Sequence, residues 1–121
     1  MKKKNVIKKN YEFSDIISKN NRYYNKTFII YIDNKKTDTI RFGISVGKKI
    51  GNAVIRNKIK RQIRNIIYEM KKNYKNNYDC IIIVKKDIIN LKFNEIRELL
   101  ISILIKANIL RREKDEKKQV I

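Results

Sequence analysis

Basic and amide side chains gather in one stretch of the sequence, Lys48 to Asn65, which reads KKIGNAVIRNKIKRQIRN. At about 100° per residue, five of them fall on one side of a helix for which Asn52 is a suitable N-cap. These five residues, called the basic arc below, are Arg56, Asn57, Lys60, Arg61 and Arg64. Arginine and asparagine donate in fixed geometries that suit phosphate oxygens and base or ribose edges. The arc therefore predicts a surface that binds a polyanion.

The charge balance supports this prediction. The 121 residues carry a formal net charge of +19, and no acid lies between Asp38 and Glu69. Like charges four residues apart cost a helix a few tenths of a kcal/mol per pair, so stacking them needs another reason. A merely solvated face is the alternative, but such faces mix lysine with glutamate. We expect nucleic acid as the neutralising partner.

The residues of a protein nuclease are missing from the sequence. Cleavage of a phosphodiester needs a general base or clustered carboxylates that hold metal ions, whereas this chain has no histidine and its acids are scattered. Its single cysteine, Cys80, excludes an internal disulfide and is expected to be buried in YDCIIIV. The segment GKKIGN lacks the GK[ST] ending of a P-loop. We therefore predict a binding protein without a catalytic residue of its own.

Hydrophobic spacing predicts the elements that position the basic arc. Phe13, Ile16 and Ile17 indicate a short first helix that starts at Asn10. Two β-rich runs follow, Thr27–Ile32 and Thr39–Val46, and they are expected to pair as an antiparallel hairpin across a loop of about five residues.

The central helix should run from Ala53 to Lys72 and bury one apolar stripe, formed by Ile55, Ile59, Ile63, Ile66 and Met70. The run Cys80–Val84 predicts a strand buried on both faces. A last amphipathic helix follows, marked by Ile96, Leu99, Leu100, Ile103 and Ala107.

The resulting order is α-β-β-α-β-α, which predicts an α+β fold, a small two-layer sandwich with helices on a sheet. Residues 1–121 should form a single RNA-binding domain in which a basic arm (1–9) and a charged tail (111–121) are mobile. No apolar run is long enough for a membrane span, and the N-terminus lacks the pattern of a signal peptide. We expect a cytoplasmic protein with no membrane partner.

The segment FGISVGKKIGNAVIRNKIKRQIRN resembles the signature of the protein subunit of bacterial ribonuclease P, whose hallmark is the pair Arg56-Asn57. The resemblance extends to IKKNYEF, TFIIY and YDCIIIV followed by Lys85-Lys86. It implies a cytoplasmic protein that assists a catalytic RNA in removing the 5′ leader of precursor tRNA. Magnesium would be bound mainly by that RNA and not tightly by the protein, and no obligate protein partner is expected. It also implies a left-handed β-α-β crossover.

The resemblance assigns two sets of site residues. Those expected to contact RNA are Lys48, Lys49, Asn52, Arg56, Asn57, Lys60, Arg61 and Arg64. Those expected to line a cleft for the single-stranded leader are Phe13, Ile17, Tyr31, Lys85 and Lys86. Ile17 stands where the family has a second aromatic residue. The alternative from composition alone is a ribosomal or ribosome-assembly protein; a helix-turn-helix DNA binder would need tandem short helices.

Overall fold

The fold has three helices and four strands, seen in a computed structural model that describes residues 6–35 and 38–111. The helices are α1 (Asn10–Ser18), α2 (Ala53–Glu69) and α3 (Phe93–Lys106), and the strands are β1 (Arg22–Tyr24), β2 (Phe28–Asn34), β3 (Ile40–Val46) and β4 (Tyr78–Val84). The α+β class is confirmed. Every predicted element is present. The structure adds the short strand β1 after α1, which the sequence did not predict because three residues are too few to show an apolar period.

The strands form one sheet in the order β1-β2-β4-β3. The predicted hairpin of β2 with β3 is wrong, because β4 lies between them, antiparallel to β2 and parallel to β3. Cys80, Ile81 and Ile82 of β4 are fully buried, and a strand buried on both faces belongs in the middle of a sheet. The parallel strands β3 and β4, joined through α2, form the expected β-α-β crossover. The left-handedness of this crossover stays a prediction.

Helices cover both faces of the sheet, where a two-layer sandwich was expected. The larger core joins α2 and α3 to residues such as Phe28, Phe42 and Ile82. A smaller cluster on the opposite face consists of Ile7, Ile16 and Ile81, with α1 above it. One face of the sheet is therefore closed by two helices, while the other carries only α1.

The α2 stripe is confirmed with one exception. Ile59, Ile63, Ile66 and Met70 are buried, but Ile55 is 43% exposed, so its assignment to the core was wrong. Ile55 lies in the first turn of α2, before the helix reaches the core. The helix ends at Glu69, three residues before the predicted Lys72.

The C-terminal residues of the expected N-terminal arm, Val6 and Ile7, are attached to strand β3. The Ile7 N–H donates to the Phe42 carbonyl oxygen at 2.9 Å, and the Ile7 side chain is buried. Val6 bridges Phe42 in the parallel sense, which partly covers the free edge of β3. Residues 1–5 of the arm and 112–121 of the tail lie outside the described residues.

Candidate RNA-binding surfaces

The loop before α2 is shaped by the signature residues themselves. The Asn52 side chain caps the helix by accepting from the Ile55 N–H at 3.0 Å, and the Arg56 Nε donates to the Gly51 carbonyl oxygen at 3.1 Å. A Cβ on Gly51 would lie 2.9 Å from the Ile55 Cγ2, so a larger residue there would displace the Ile55 side chain. Asn52 and Arg56, both expected to contact RNA, therefore also fix the start of the helix.

The basic arc lies on the solvent side of α2. Asn57, Arg61 and Arg64 are exposed, while Arg56 and Lys60 are half-buried. Lys48 and Lys49 are exposed in the short 3-10 turn just before the helix. Within residues 6–35 and 38–111, no carboxylate forms an ion pair with any of these cations. Their charge is thus available to an external anion.

Tyr68 belongs to the same surface, although the sequence reasoning missed it. It follows Asn57, Arg61 and Arg64 at eleven, seven and four residues, and it is 57% exposed. The Lys71 Nζ lies 4.3 Å from the centroid of its ring. The helical spacing could have identified Tyr68 as an aromatic extension of the basic arc, because bases stack on such rings.

Two acidic side chains, Glu12 and Asp79, form ion pairs with Arg41 that link α1 to the sheet. Arg41 of β3 donates to both carboxylate oxygens of the buried Asp79, at 2.9 and 2.7 Å, and to Glu12 of α1 at 2.9 Å. The hydrogen bonds to Asp79 raise the pKa of Arg41, so this cation is permanent. The position of α1 over the sheet is therefore fixed by charge as well as by apolar packing.

A second ion cluster lies at the end of α1. The Lys19 Nζ lies 2.7 Å and the Lys35 Nζ 3.0 Å from the Asp33 Oδ2. Burial alone would raise the pKa of Asp33, but the hydrogen bonds from Lys19 and Lys35 outweigh it and lower that pKa. The Asp33 hydrogen bond in turn raises the pKa of Lys19. At this end of α1 the lysines are therefore paired with a carboxylate of the protein itself, unlike the cations of the basic arc.

The two aromatic residues of the expected cleft lie on the same face of the sheet, Phe13 over β3 and Tyr31 on β2. Phe13 and Tyr31 are half-buried and pack against the small Ile7, Ile16 and Ile81 cluster. A Cβ on Gly43 would lie 2.7 Å from the Phe13 Cζ, so the ring rests directly on the bare backbone of β3. Tyr31 lies across β4 from Gly43, roughly 10 Å away at two strand spacings. Ile17 of α1 is half-buried.

Two hollows connect this aromatic face with the basic arc. The first, about 400 Å³, is lined by Phe13, Ser45 and Lys60 among others. The second, about 220 Å³, is lined by Phe13, Ile44 and Arg64 among others. Lys8 lines both, a contribution that the sequence did not indicate. The sequence treated the cleft and the arc as separate surfaces, but they meet at Phe13.

The two lysines after β4 differ from each other. The half-buried Lys85 donates from Nζ to the Asn25 carbonyl oxygen at 2.7 Å and lies 5.5 Å from the centroid of the Tyr24 ring. Lys86 is exposed. Both lie at the end of the strand next to β2, which carries Tyr31, as expected.

The described part of the chain shows neither a cluster of metal ligands nor a membrane-spanning helix, and its cysteine and two of its phenylalanines belong to the core. No set of three potential metal ligands lies together there, and no helix there is long and apolar enough to cross a membrane. Cys80 is buried as predicted, and burial raises the pKa of its thiol. Phe28 and Phe42 are core residues.

Comparison with known proteins gives a consistent answer. Residues 1–108 match the family model described as Ribonuclease P. The chain is 46% identical to the ribonuclease P protein component of Mycoplasma capricolum, covering 86% of this chain and 96% of that protein. The counterpart from Bacillus mycoides is 41% identical, with 94% and 100% covered.

Solved structures agree with this match. The RNase P protein of Staphylococcus aureus, solved at 2.0 Å, superimposes with a TM-score of 0.84 at 37% identity over 88% of this chain and 98% of that one. The RNase P protein of Thermotoga maritima gives a TM-score of 0.76 at 27% identity over 82% and 94%.

Proposed function

Because the chain belongs to the ribonuclease P protein family, we propose that it is the protein component that assists a catalytic RNA in removing the 5′ leader of precursor tRNA. The chemistry belongs to the RNA, and the protein supplies binding and positioning. Family membership separates this function from the ribosomal or ribosome-assembly role that composition alone left open. The partners are the ribonuclease P RNA and the precursor tRNA.

One observation carries the proposal: the aromatic face and the basic arc are continuous at Phe13. Lys60 and Arg64 of the arc line the same hollows as this ring. A single strand can therefore leave the arc, cross the hollow and reach the sheet without losing contact with the protein. A duplex is too wide to place its bases against these rings, whereas single-stranded bases stack on aromatic side chains with little sequence preference.

The roles of the two surfaces follow from their chemistry. The unpaired cations of the arc, with Lys48 and Lys49 before it, bind phosphates of the catalytic RNA. Phe13 and Tyr31 stack leader bases beside Ile17, and Lys86 provides an exposed cation at the edge. Magnesium needed for hydrolysis is bound mainly by the RNA. The complex acts in the cytoplasm without an obligate protein partner.

The test is reconstitution with the ribonuclease P RNA of the same cell. Precursor tRNA is incubated at low magnesium with the RNA alone, with the protein alone and with both together. We expect cleavage at the leader junction only with both. Site-specific cleavage by RNA-free protein, or activity of the RNA that the protein does not raise, would contradict the proposal.

A matched pair of variants makes the test specific. Arg61→Ala removes an exposed cation of the arc, whereas Lys106→Ala removes an exposed cation at the end of α3 on a different helix. Only the first should weaken assembly with the RNA. Equal effects would mean that net charge alone drives binding and that the arc has no special role.

A further inference from the structure

A second aromatic and cationic site lies at the far edge of the sheet. Tyr24 ends β1, the edge strand, and is 62% exposed. The Lys85 Nζ lies 5.5 Å from its ring centroid. Lys26, in the β1–β2 turn, and Lys86, directly after Lys85, are both exposed. Neither the sequence signature nor the proposed cleft includes Tyr24.

The sheet register puts Tyr24 on the same face as Phe13 and Tyr31. Tyr24 is opposite Ile29, Ile29 is opposite Ile83, and Ile83 is opposite Ser45, so one row crosses all four strands. Residues directly opposite each other point to the same side of a sheet. Ile83 packs on the cluster beneath α1, which identifies this side. The row begins at Ser45 in the 400 Å³ hollow and ends at Tyr24.

The turn that follows Tyr24 is held by several hydrogen bonds of Asn25. The Asn25 Oδ1 accepts from the N–H groups of Thr27 and Phe28, at 2.9 and 2.8 Å, and the Asn25 Nδ2 donates to the Leu99 carbonyl oxygen at 3.0 Å. Lys85 is fixed by its bond to the Asn25 carbonyl oxygen. Because the backbone beside Tyr24 is already ordered, less entropy is lost when a base stacks on its ring.

We infer that Tyr24, with Lys85 beside it, forms a stacking subsite for a leader base upstream of the base held at Phe13. The inference rests on the proposed function and extends it. Three strand spacings separate the β3 and β1 ends of the row, about 14 Å. That distance corresponds to about four nucleotides at a stacked spacing of 3.4 Å and to fewer in an extended strand. Because the basic arc joins the row at its β3 end, the β1 end receives the distal part of the leader.

The test is a series of precursor tRNAs whose leaders lengthen one nucleotide at a time, bound to the assembled holoenzyme. Tyr24→Ala should follow the wild type for short leaders and lose affinity by at least about fivefold beyond a threshold length. Phe13→Leu should show its loss at a leader shorter by about two to four nucleotides. Tyr24→Phe, which keeps the ring, should bind as the wild type does.

Tyr11→Ala is the matched control. Tyr11 is 68% exposed and has its own lysine, the Lys9 Nζ, 5.8 Å from its ring centroid, but it lies by Glu12 and Asp15 in a hollow away from the row. It should have no effect at any leader length. Tyr24→Leu keeps an apolar side chain on the edge strand and guards against a folding defect of the alanine variant.

Three results decide the matter. If wild-type affinity does not rise with leader length, the proposed leader binding itself fails. If it rises while Tyr24→Ala and Tyr24→Leu follow the wild type at every length, only the Tyr24 subsite is refuted. A loss that is equal for all leaders and for mature tRNA also refutes it, since a distal subsite cannot affect a substrate that does not reach it.

Discussion

Replacing Phe13 by leucine separates stacking from packing at the centre of the proposed leader path. Leucine keeps apolar contact with the Gly43 backbone and the Ile81 cluster but has no π-face. Because Phe13 is only half-buried and leucine retains most of the side chain, the cost in unfolding free energy should be well below the about 3–5 kcal/mol of a buried Phe→Ala change. The lost stacking is worth about 1–3 kcal/mol per base, which weakens precursor binding by about 5- to 150-fold.

The measurement is the dissociation constant of the holoenzyme for precursor tRNA and for mature tRNA. Mature tRNA has no leader, so Phe13→Leu should leave its affinity unchanged. Phe28→Leu is the control, because Phe28 is fully buried in the other core and its loss should affect stability alone. Equal losses for precursor and mature tRNA, or no loss for either, would refute the reasoning and leave Phe13 as a packing residue.

Further predictions concern the arc, the glycine under Phe13 and the acid clusters. Arg61→Ala should weaken RNA binding and lower the slope of log affinity against log salt by about 1 without changing the melting temperature. Arg56→Ala should weaken RNA binding as well and also destabilise the fold by about 1 kcal/mol, because its hydrogen bond to Gly51 is lost. Salt titration and thermal melts distinguish the two variants, and identical melting temperatures would contradict the structural role of Arg56. Gly43→Ala should displace the Phe13 ring and lower both stability and precursor affinity, so wild-type precursor binding would contradict the close contact. The lowered pKa of Asp33 means that the folded state binds its proton less readily than the unfolded state, so its stabilisation is present above the ordinary pKa of 3.8 and is lost as the pH falls below it. Asp33→Asn should make acid unfolding less steep, and an unchanged pH profile would be the contrary result.

The sequence predicted the elements that bury a periodic apolar stripe. The α2 helix, with Ile59 and Ile63 inside and Arg61 outside, follows from spacing alone. Ile55 was misassigned because periodicity does not reveal where a helix first meets the core. The three residues of β1 were missed because a short edge strand has too few positions for a pattern.

Strand pairing was harder to predict than strand position. Adjacent strands with a short connection usually pair, which favoured β2 with β3. The stronger signal was in β4, whose central residues Cys80, Ile81 and Ile82 are all apolar and require neighbours on both sides. Had that constraint been applied to the pairing, it would have placed β4 between the other two.

Side-chain partnerships across long sequence separations gave no signal at all. Nothing in the local pattern relates Lys85 to Asn25, Arg41 to Asp79 or Phe13 to Gly43, because each pair meets only after the sheet has formed. The continuity of the leader path with the basic arc has the same origin. It depends on Phe13 and Lys60 lining one hollow from two helices.

A crosslinking measurement on the assembled complex tests that continuity most directly. A photoreactive nucleotide is placed at successive leader positions of precursor tRNA, and the crosslinked peptides of the wild-type protein are identified. Leader positions close to the cleavage site should react with α1 around Phe13 and with β3 around Ser45. Crosslinks confined to α3, or none on the protein, would contradict a leader path from the basic arc onto the aromatic face of the sheet.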